Sequence, residues 1–173
     1  MKVLVGFATA AGSAGDIARR IAGVLSGYGH EVVALDVDDV RDVGRYDAFV
    51  LGSAVHDQAW LPRGSEFLSR HRRALAGRPV WLFSVGLPGA FRGPMRKWAT
   101  LEEADILAEL TGDVSPQGHR LFTGVVTPQG LGRVGAWVFR LLGGRFGDFR
   151  DWGAIEAWTK QIAEDLVDIE SLA

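Results

Sequence analysis

The sequence predicts a three-layer α/β fold around a mainly parallel sheet, and three observations carry that prediction. Short Val- and Leu-rich runs of strand length alternate with longer segments whose apolar residues recur every three or four positions. The runs are apolar almost throughout instead of alternating with polar residues, which marks strands covered on both faces. Successive strands separated by helices need crossovers, and crossovers imply parallel pairing.

Residues 2–7 form the first such run. From Gly15, the spacing of Ile17, Ile21, Val24 and Leu25, with Ala18 and Ala22, draws one apolar helical face, and Asp16, Arg19 and Arg20 lie off it. That helix is expected to end near Gly27–Gly29, where glycine suits a C-cap. Residues 30–37 ("HEVVALDV") read as a second strand and 47–55 ("DAFVLGSAV") as a third. A helix over 66–75 follows, then a fourth strand over 78–86, in which Pro79 near the start costs no ladder hydrogen bond. Residues 100–110 read as a helix with Thr100 as N-cap and Glu103 in capping-box spacing. Residues 119–126 are the fifth strand, 131–142 a helix, and 151–169 a stronger one with Ile155, Trp158, Ile162, Leu166 and Ile169 in register. The predicted architecture is one domain over residues 1–173, with a five-stranded sheet in the order 2-1-3-4-5.

Composition narrows the function classes. The chain has 173 residues, 47% of them hydrophobic and 23% charged, which is an ordinary globular mixture long enough to bury a core. The net charge of -2 contains no long basic run, so a dedicated nucleic-acid binder is not expected. "RHRR" at 70–73 reads as the solvated end of a helix. With no cysteine, disulfides and thiol chemistry are excluded, and His30, His56, His71 and His119 lack metal-ligand spacing. No metal site is expected. A secretion signal is not expected either, because Gly6 and Thr9 interrupt the apolar start and a helix follows at once.

The turn "ATAAGSAG" at 8–15 joins the first strand to the first helix, at the carboxyl edge where a doubly wound sheet collects ligands. Its small side chains let backbone N–H groups approach an anion, the helix adds its unpaired first amides, and Thr9 and Ser13 can donate from their hydroxyls. Neither the nucleoside-triphosphatase pattern nor the dinucleotide glycine pattern is present, which leaves a monophosphate. A Gly/Ala turn chosen only for tight packing is the competing reading.

"FATAAGSAGDIARRI" resembles the phosphate loop of the flavodoxin family, with Phe7, Thr9, Gly12, Ala18 and Ile21 matching its pattern. Ala14 departs from it, standing where the family usually has a threonine. "LGSAVHDQAWLPRGSEFLSRH", "LFSVGLPG" and "GGRFGDFRDWGAIEAW" are similar, in order and spacing, to segments of the flavodoxin-type protoporphyrinogen dehydrogenases that pass electrons to menaquinone. The resemblance implies FMN as cofactor, with its phosphate held by Thr9, Ala10, Ala11, Gly12, Ser13, Ala14 and Gly15. The flavin ring is then expected between two loops, one with Ser53, Ala54, Val55, His56 and Trp60, the other with Ser84, Val85, Gly86, Leu87, Pro88 and Gly89. Trp60 is the first candidate for the stacking aromatic, against packing on the following helix, with His56 second; His56 reads first as a surface loop residue, with a ring contact or proton donor as its sharper reading. Gly86 and Gly89 are expected to offer N–H groups to the ring. No catalytic acid or base is named, because flavin chemistry needs no protein nucleophile.

Residues 127–152 are less ordinary. Val134, Trp137, Val138, Leu141 and Leu142 draw an apolar helical face beside Arg133 and Arg140, expected to pack in the core, with a lipophilic contact to substrate, quinone or membrane as the alternative. Asp148, Arg150, Asp151 and Trp152 match the subgroup's pattern, and Asp151 is expected to cap the last helix. The resemblance implies a cytoplasmic FMN oxidoreductase acting on a small-molecule substrate, with a quinone or a redox protein as electron acceptor and peripheral contact at the inner membrane face as a further expectation. A flavodoxin-type electron carrier is the second reading, and a domain that has lost FMN, motivated by Ala14, the third.

Overall fold

The computed structural model describes residues 1–91, 110 and 114–172, and the side chains of all of these except 129–134. The strands are β1 Lys2–Ala8, β2 Glu31–Asp36, β3 Ala48–His56, β4 Ala59–Trp60, β5 Val80–Gly86, β6 Gly118–Thr123, β7 Val125–Val126 and β8 Gly147–Asp148. The helices are α1 Ser13–Gly27, α2 Pro62–Leu75, α3 Pro128–Leu141 and α4 Trp152–Leu172. The helix expected over 100–110, with its Thr100 cap and Glu103, lies outside the described residues except for Leu110.

The main sheet runs β2-β1-β3-β5-β6, all parallel, and β4 adds an antiparallel stub to β3. Counting the long strands alone, this is the predicted order. Alternation along the strands sends their side chains to two cores. Val3, Val5, Ala48, Val50, Trp81 and Phe83 face α1 and α4, where Ile17, Ile21, Ile155, Trp158 and Ile162 meet them. Leu4, Phe49, Leu51, Val80 and Leu82 face the other way onto Phe67, Leu68 and Leu75 of α2. Each Val, Leu, Ile or Phe so buried contributes about 1.5–3 kcal/mol of transfer free energy. The predicted face of α4 is the buried one, with Ile169 at its margin.

Two helices start earlier than expected. Both α2 and α3 gain a first turn that opens on proline, Pro62 and Pro128, because the first helical position needs no N–H. Asp151 caps α4 as expected, its Oδ1 accepting from the Ala154 N–H at 2.9 Å.

Two small ribbons escaped the sequence reading. Val55 and His56 pair with Trp60 and Ala59 around a two-residue turn in which Asp57 (φ 50°) and Gln58 (φ 64°) are left-handed. Such turns are usually announced by Asn-Gly or Asp-Gly, and Asp-Gln hides this one. The expected single strand over 119–126 breaks at Gly124, and its end pairs with β8 instead.

Arg150 ties the last segment to the first helix. Its guanidinium makes a bidentate pair with Asp148, donates from Nη1 to Asp16 at 2.7 Å, and lies 4.8 Å from the Trp152 ring centroid. Hydrogen bonds from Arg150 hold the Asp148 carboxyl below its ordinary 3.8. Asp16 is pulled the same way, by Arg19 first and then by Arg150. Because both folded values are depressed, this stabilisation is present above the unfolded carboxylate range and disappears as pH falls through the folded values.

Gly52 has no room for a side chain, since an added Cβ would lie 2.2 Å from the Phe83 ring. Gly52→Ala is expected to destabilise the fold by about 1–3 kcal/mol in urea titration, the ordinary cost of overpacking. Replacing Arg150 by Gln is expected to cost at most about 1 kcal/mol near neutrality, since its carboxylate partners are half exposed. The gap to wild type should narrow as pH falls through the depressed values of Asp16 and Asp148, and a gap that keeps its full size there would refute the ionic clasp.

Candidate functional site

Parallel strands deliver their carboxyl ends to one edge, and the order β2-β1-β3 puts the switch in winding direction beside β1. A cleft of about 270 Å³ lies at this edge. Its walls come from the turn after β1 (Thr9, Ala10, Ala11, Ser13, Ala14), the end of β3 (Ala54, Val55, His56, Asp57), the end of β5 (Val85, Gly86, Leu87) and the segment after β6 (Gly124, Val125, Val126, Thr127).

The first turn presents donors. Gly12 takes φ 95° as the N-cap of α1, a left-handed conformation that costs a residue with a Cβ about 1–2 kcal/mol. Gly12 N–H donates to Thr9 Oγ1 at 2.9 Å, and the cap has no side chain to occupy the first amides of α1. Those of Ser13, Ala14 and Gly15 therefore have no acceptor within the helix. Ser13 Oγ in turn accepts from Val125 N–H at 3.1 Å. Thr9 and Ser13 each spend an oxygen lone pair internally and keep the hydroxyl proton for an outside acceptor. Amides, hydroxyl protons and a helix dipole make a site for an anion.

Arg63 locks this turn. From the first turn of α2 it donates to the Thr9 carbonyl at 2.7 Å and reaches Asp36 at the end of β2 and Asp38 beyond it. Its charge is neutralised by these carboxylates, so Arg63 shapes the loop and Asp36 and Asp38 keep it from acting as a free counterion. Gly124 serves the same end by contact, because a Cβ there would lie 2.9 Å from Val85 and 3.1 Å from the Ser13 Cβ.

Several expected site residues sit elsewhere. Trp60 is not a stacking aromatic: it is 5% exposed, packs in the α2 core, and donates from Nε1 to Ser84 Oγ at 2.7 Å. The hairpin at Asp57–Gln58 turns the chain back on β3 and carries the indole under the sheet edge. Ser84 is fully buried and also bonds His119 Nε2, so it lies behind the cleft wall. Ser53 is buried too, donating to the Ala54 carbonyl and accepting from Leu61 N–H. Gly89 N–H is taken by Thr123 Oγ1 at 2.9 Å and is not offered to a ligand, and Pro88 is buried beside it. Gly12 and Gly15 act through the backbone, Gly15 because a Cβ would press on Phe7 at 3.0 Å. His56 stands exposed on the rim with Nδ1 3.0 Å from the Asp57 carboxylate. Ala14 is fully buried and shared between core and cleft wall, so the position offers its amide while its methyl packs inward.

Gly124, Val125, Val126 and Thr127 were missed as site residues. Their only signal was position, immediately after the last strand of the sheet at the same edge.

A family model described as a flavodoxin domain matches residues 4–141. The chain belongs to the flavodoxin family. A search of curated protein sequences returns no match. Among solved structures, a flavodoxin from the domain Archaea is 14% identical with a TM-score of 0.57, and the alignment covers 95% of this chain and 98% of that one. A mutant flavodoxin from Pseudomonas aeruginosa is 14% identical at TM-score 0.59, covering 95% and 97%. The rubredoxin oxygen:oxidoreductase of the anaerobe Desulfovibrio gigas is 16% identical at TM-score 0.62 over 96% of this chain, which spans 36% of that protein. At these identities the likeness is one of fold. Family membership gives the chain FMN as its cofactor, and the residues present fit it. The donor set of the first turn suits the phosphate, and the small and apolar walls from β3 and β5 suit a flat ring.

Thr9→Val and Ser13→Ala are each expected to raise the FMN dissociation constant about tenfold, the effect of one hydrogen bond to a charged group. Flavin fluorescence titration reads this. Trp60→Phe is expected to leave FMN affinity within about twofold while lowering stability by about 1–2 kcal/mol, since it removes a buried donor and not a ligand contact.

Proposed function

We propose that this flavodoxin domain is an FMN-dependent oxidoreductase that oxidises a small organic substrate and passes the electrons to a quinone or comparable acceptor, as its similarity to the flavodoxin-type protoporphyrinogen dehydrogenases suggests. The observation that carries this reading is the chemistry of the cleft. Asp57 is the single carboxylate among the described lining residues, and apart from His56 the remaining wall is small or apolar. A carrier that docks basic redox proteins over its flavin gains from an acidic collar there. An uncharged planar substrate gains from apolar walls instead.

When bound, FMN supplies the ring that takes up and releases electrons. The chain supplies placement and protons. The first turn anchors the phosphate through amides and hydroxyls, and Arg63 keeps that turn in one shape. Ala54, Val55, Val85 and Leu87 exclude water from the ring's surroundings. His56 stands on the rim with its Nδ1 3.0 Å from the Asp57 carboxylate. It is placed to give or take a proton for a substrate at the cleft mouth.

An electron carrier between protein partners is the second reading, favoured by the nearly end-to-end match to flavodoxins. Anaerobic titration separates the two. FMN-loaded protein is expected to bleach on addition of protoporphyrinogen and to regain its colour on addition of a menaquinone analogue. Absence of bleaching, together with fast electron exchange with a flavodoxin reductase, would establish the carrier instead.

A further inference from the structure

The apolar face read from residues 127–152 was expected in the core, and the structure turns most of it outward. Trp137 is 64% exposed and Leu141 66%, with Val138 and Leu142 beside them also open to solvent. At a helical repeat of 3.6 residues, positions 137, 138, 141 and 142 share one face. Phe139, on the reverse side, anchors α3 in a small cluster with Ala90, Val126, Leu87 and Phe146. Among the described side chains of α3, Phe139 is the buried one, and the face at 137, 138, 141 and 142 is left uncovered among the described residues.

The charge around this face is one-sided. From 114 to 147 the chain holds Arg120, Arg133, Arg140 and Arg145 and no carboxylate, although the whole protein is net negative. Arg140 and Arg145 are both exposed, and each lies over an aromatic ring, Phe146 and Phe149 respectively. An exposed Trp and two Leu between arginines, in a stretch of sequence with no acid, is the make-up of a helix that lies in the headgroup layer of an anionic bilayer. A second copy of this chain fits poorly. A two-fold contact through this face would bring both copies' arginines together with no carboxylate from the segment to offset them. No described helix is long and apolar enough to cross a membrane, so contact through α3 is peripheral.

We infer that α3 is a membrane-docking element that binds anionic phospholipid surfaces through Trp137, Val138, Leu141 and Leu142, with Arg140 and Arg145 engaging the phosphates. The helix begins one residue after Thr127, which lines the cleft, and its anchor Phe139 shares a cluster with Leu87, another lining residue. A helix of 14 residues is about 20 Å long, so docking holds the cleft within that distance of the lipid. This inference goes beyond the redox reading and stands without it, because its test needs no electron transfer.

The test is flotation of the full chain with vesicles of phosphatidylcholine alone and of equal parts phosphatidylcholine and phosphatidylglycerol. Wild type is expected to float with the anionic vesicles and to be released by salt. Trp137→Gln combined with Leu141→Gln should weaken binding more than about tenfold. Arg140→Gln with Arg145→Gln should weaken it roughly 25-fold on anionic vesicles, about fivefold for each charge. Val167→Gln, an exposed apolar position on α4, should bind as wild type does. Wild type that remains in solution with both vesicle types overturns the inference, and so does binding untouched by the Trp137/Leu141 pair. A chain that sediments as a dimer and becomes monomeric in that pair would reassign the face to contact between copies.

Discussion

Everything in this molecule follows from a parallel sheet that must be covered on both faces. Five strands running one way place their carboxyl ends along one edge, and the crossovers that return the chain become the two helical layers. The cleft is a geometric by-product of that arrangement, because the loops leaving β1, β3, β5 and β6 have nowhere else to meet. What the sequence adds is the chemistry of the loops. The turn after β1 presents N–H and O–H donors, and its own acceptors are satisfied internally by Gly12, Val125 and Arg63. An anion is the ligand that such a set of unmatched donors attracts.

Close approach is the second theme. Phe83 occupies the space a side chain at Gly52 would need, and Ser13 with Val85 occupies that at Gly124. The first contact packs the ring of β5 across β3; the second brings the segment after β6 against the phosphate turn, so that Val125 can donate to Ser13. The absence of a methyl group at position 124 therefore couples a distant strand to the loop that binds the cofactor. Arg63 does comparable work by charge, linking α2, β2 and the turn through three acceptors. These partners are partly exposed, so the gain in stability is small, and the consequence is chiefly one of shape.

The cleft and the outer face of α3 differ in kind. The cleft is concave, lined by small residues and nearly free of formal charge. The α3 face is convex, made of large apolar side chains between arginines. They meet through Thr127 and the Phe139 cluster, which joins the ligand-facing Leu87 to the helix that carries Trp137. The cleft and the apolar α3 face are thus joined by one short connection.

Periodicity and local chemistry by themselves determined the strand and helix order, the apolar faces of α1 and α4, the Asp151 cap and the donor-rich turn. Each of these depends on residues close in sequence, where helical spacing, strand burial and capping act. Tertiary structure decided the rest. Trp60 reads as a flavin platform in its loop, yet a left-handed Asp57–Gln58 turn folds it back to a buried hydroxyl on another strand. Gly89 reads as a free amide until Thr123 of β6 takes it. Trp137 and Leu141 show the reverse case, in which a pattern drawn for a core is left open among the described residues. Amphipathic spacing states which side chains share a face, but only the packing of distant elements determines whether that face meets protein or solvent.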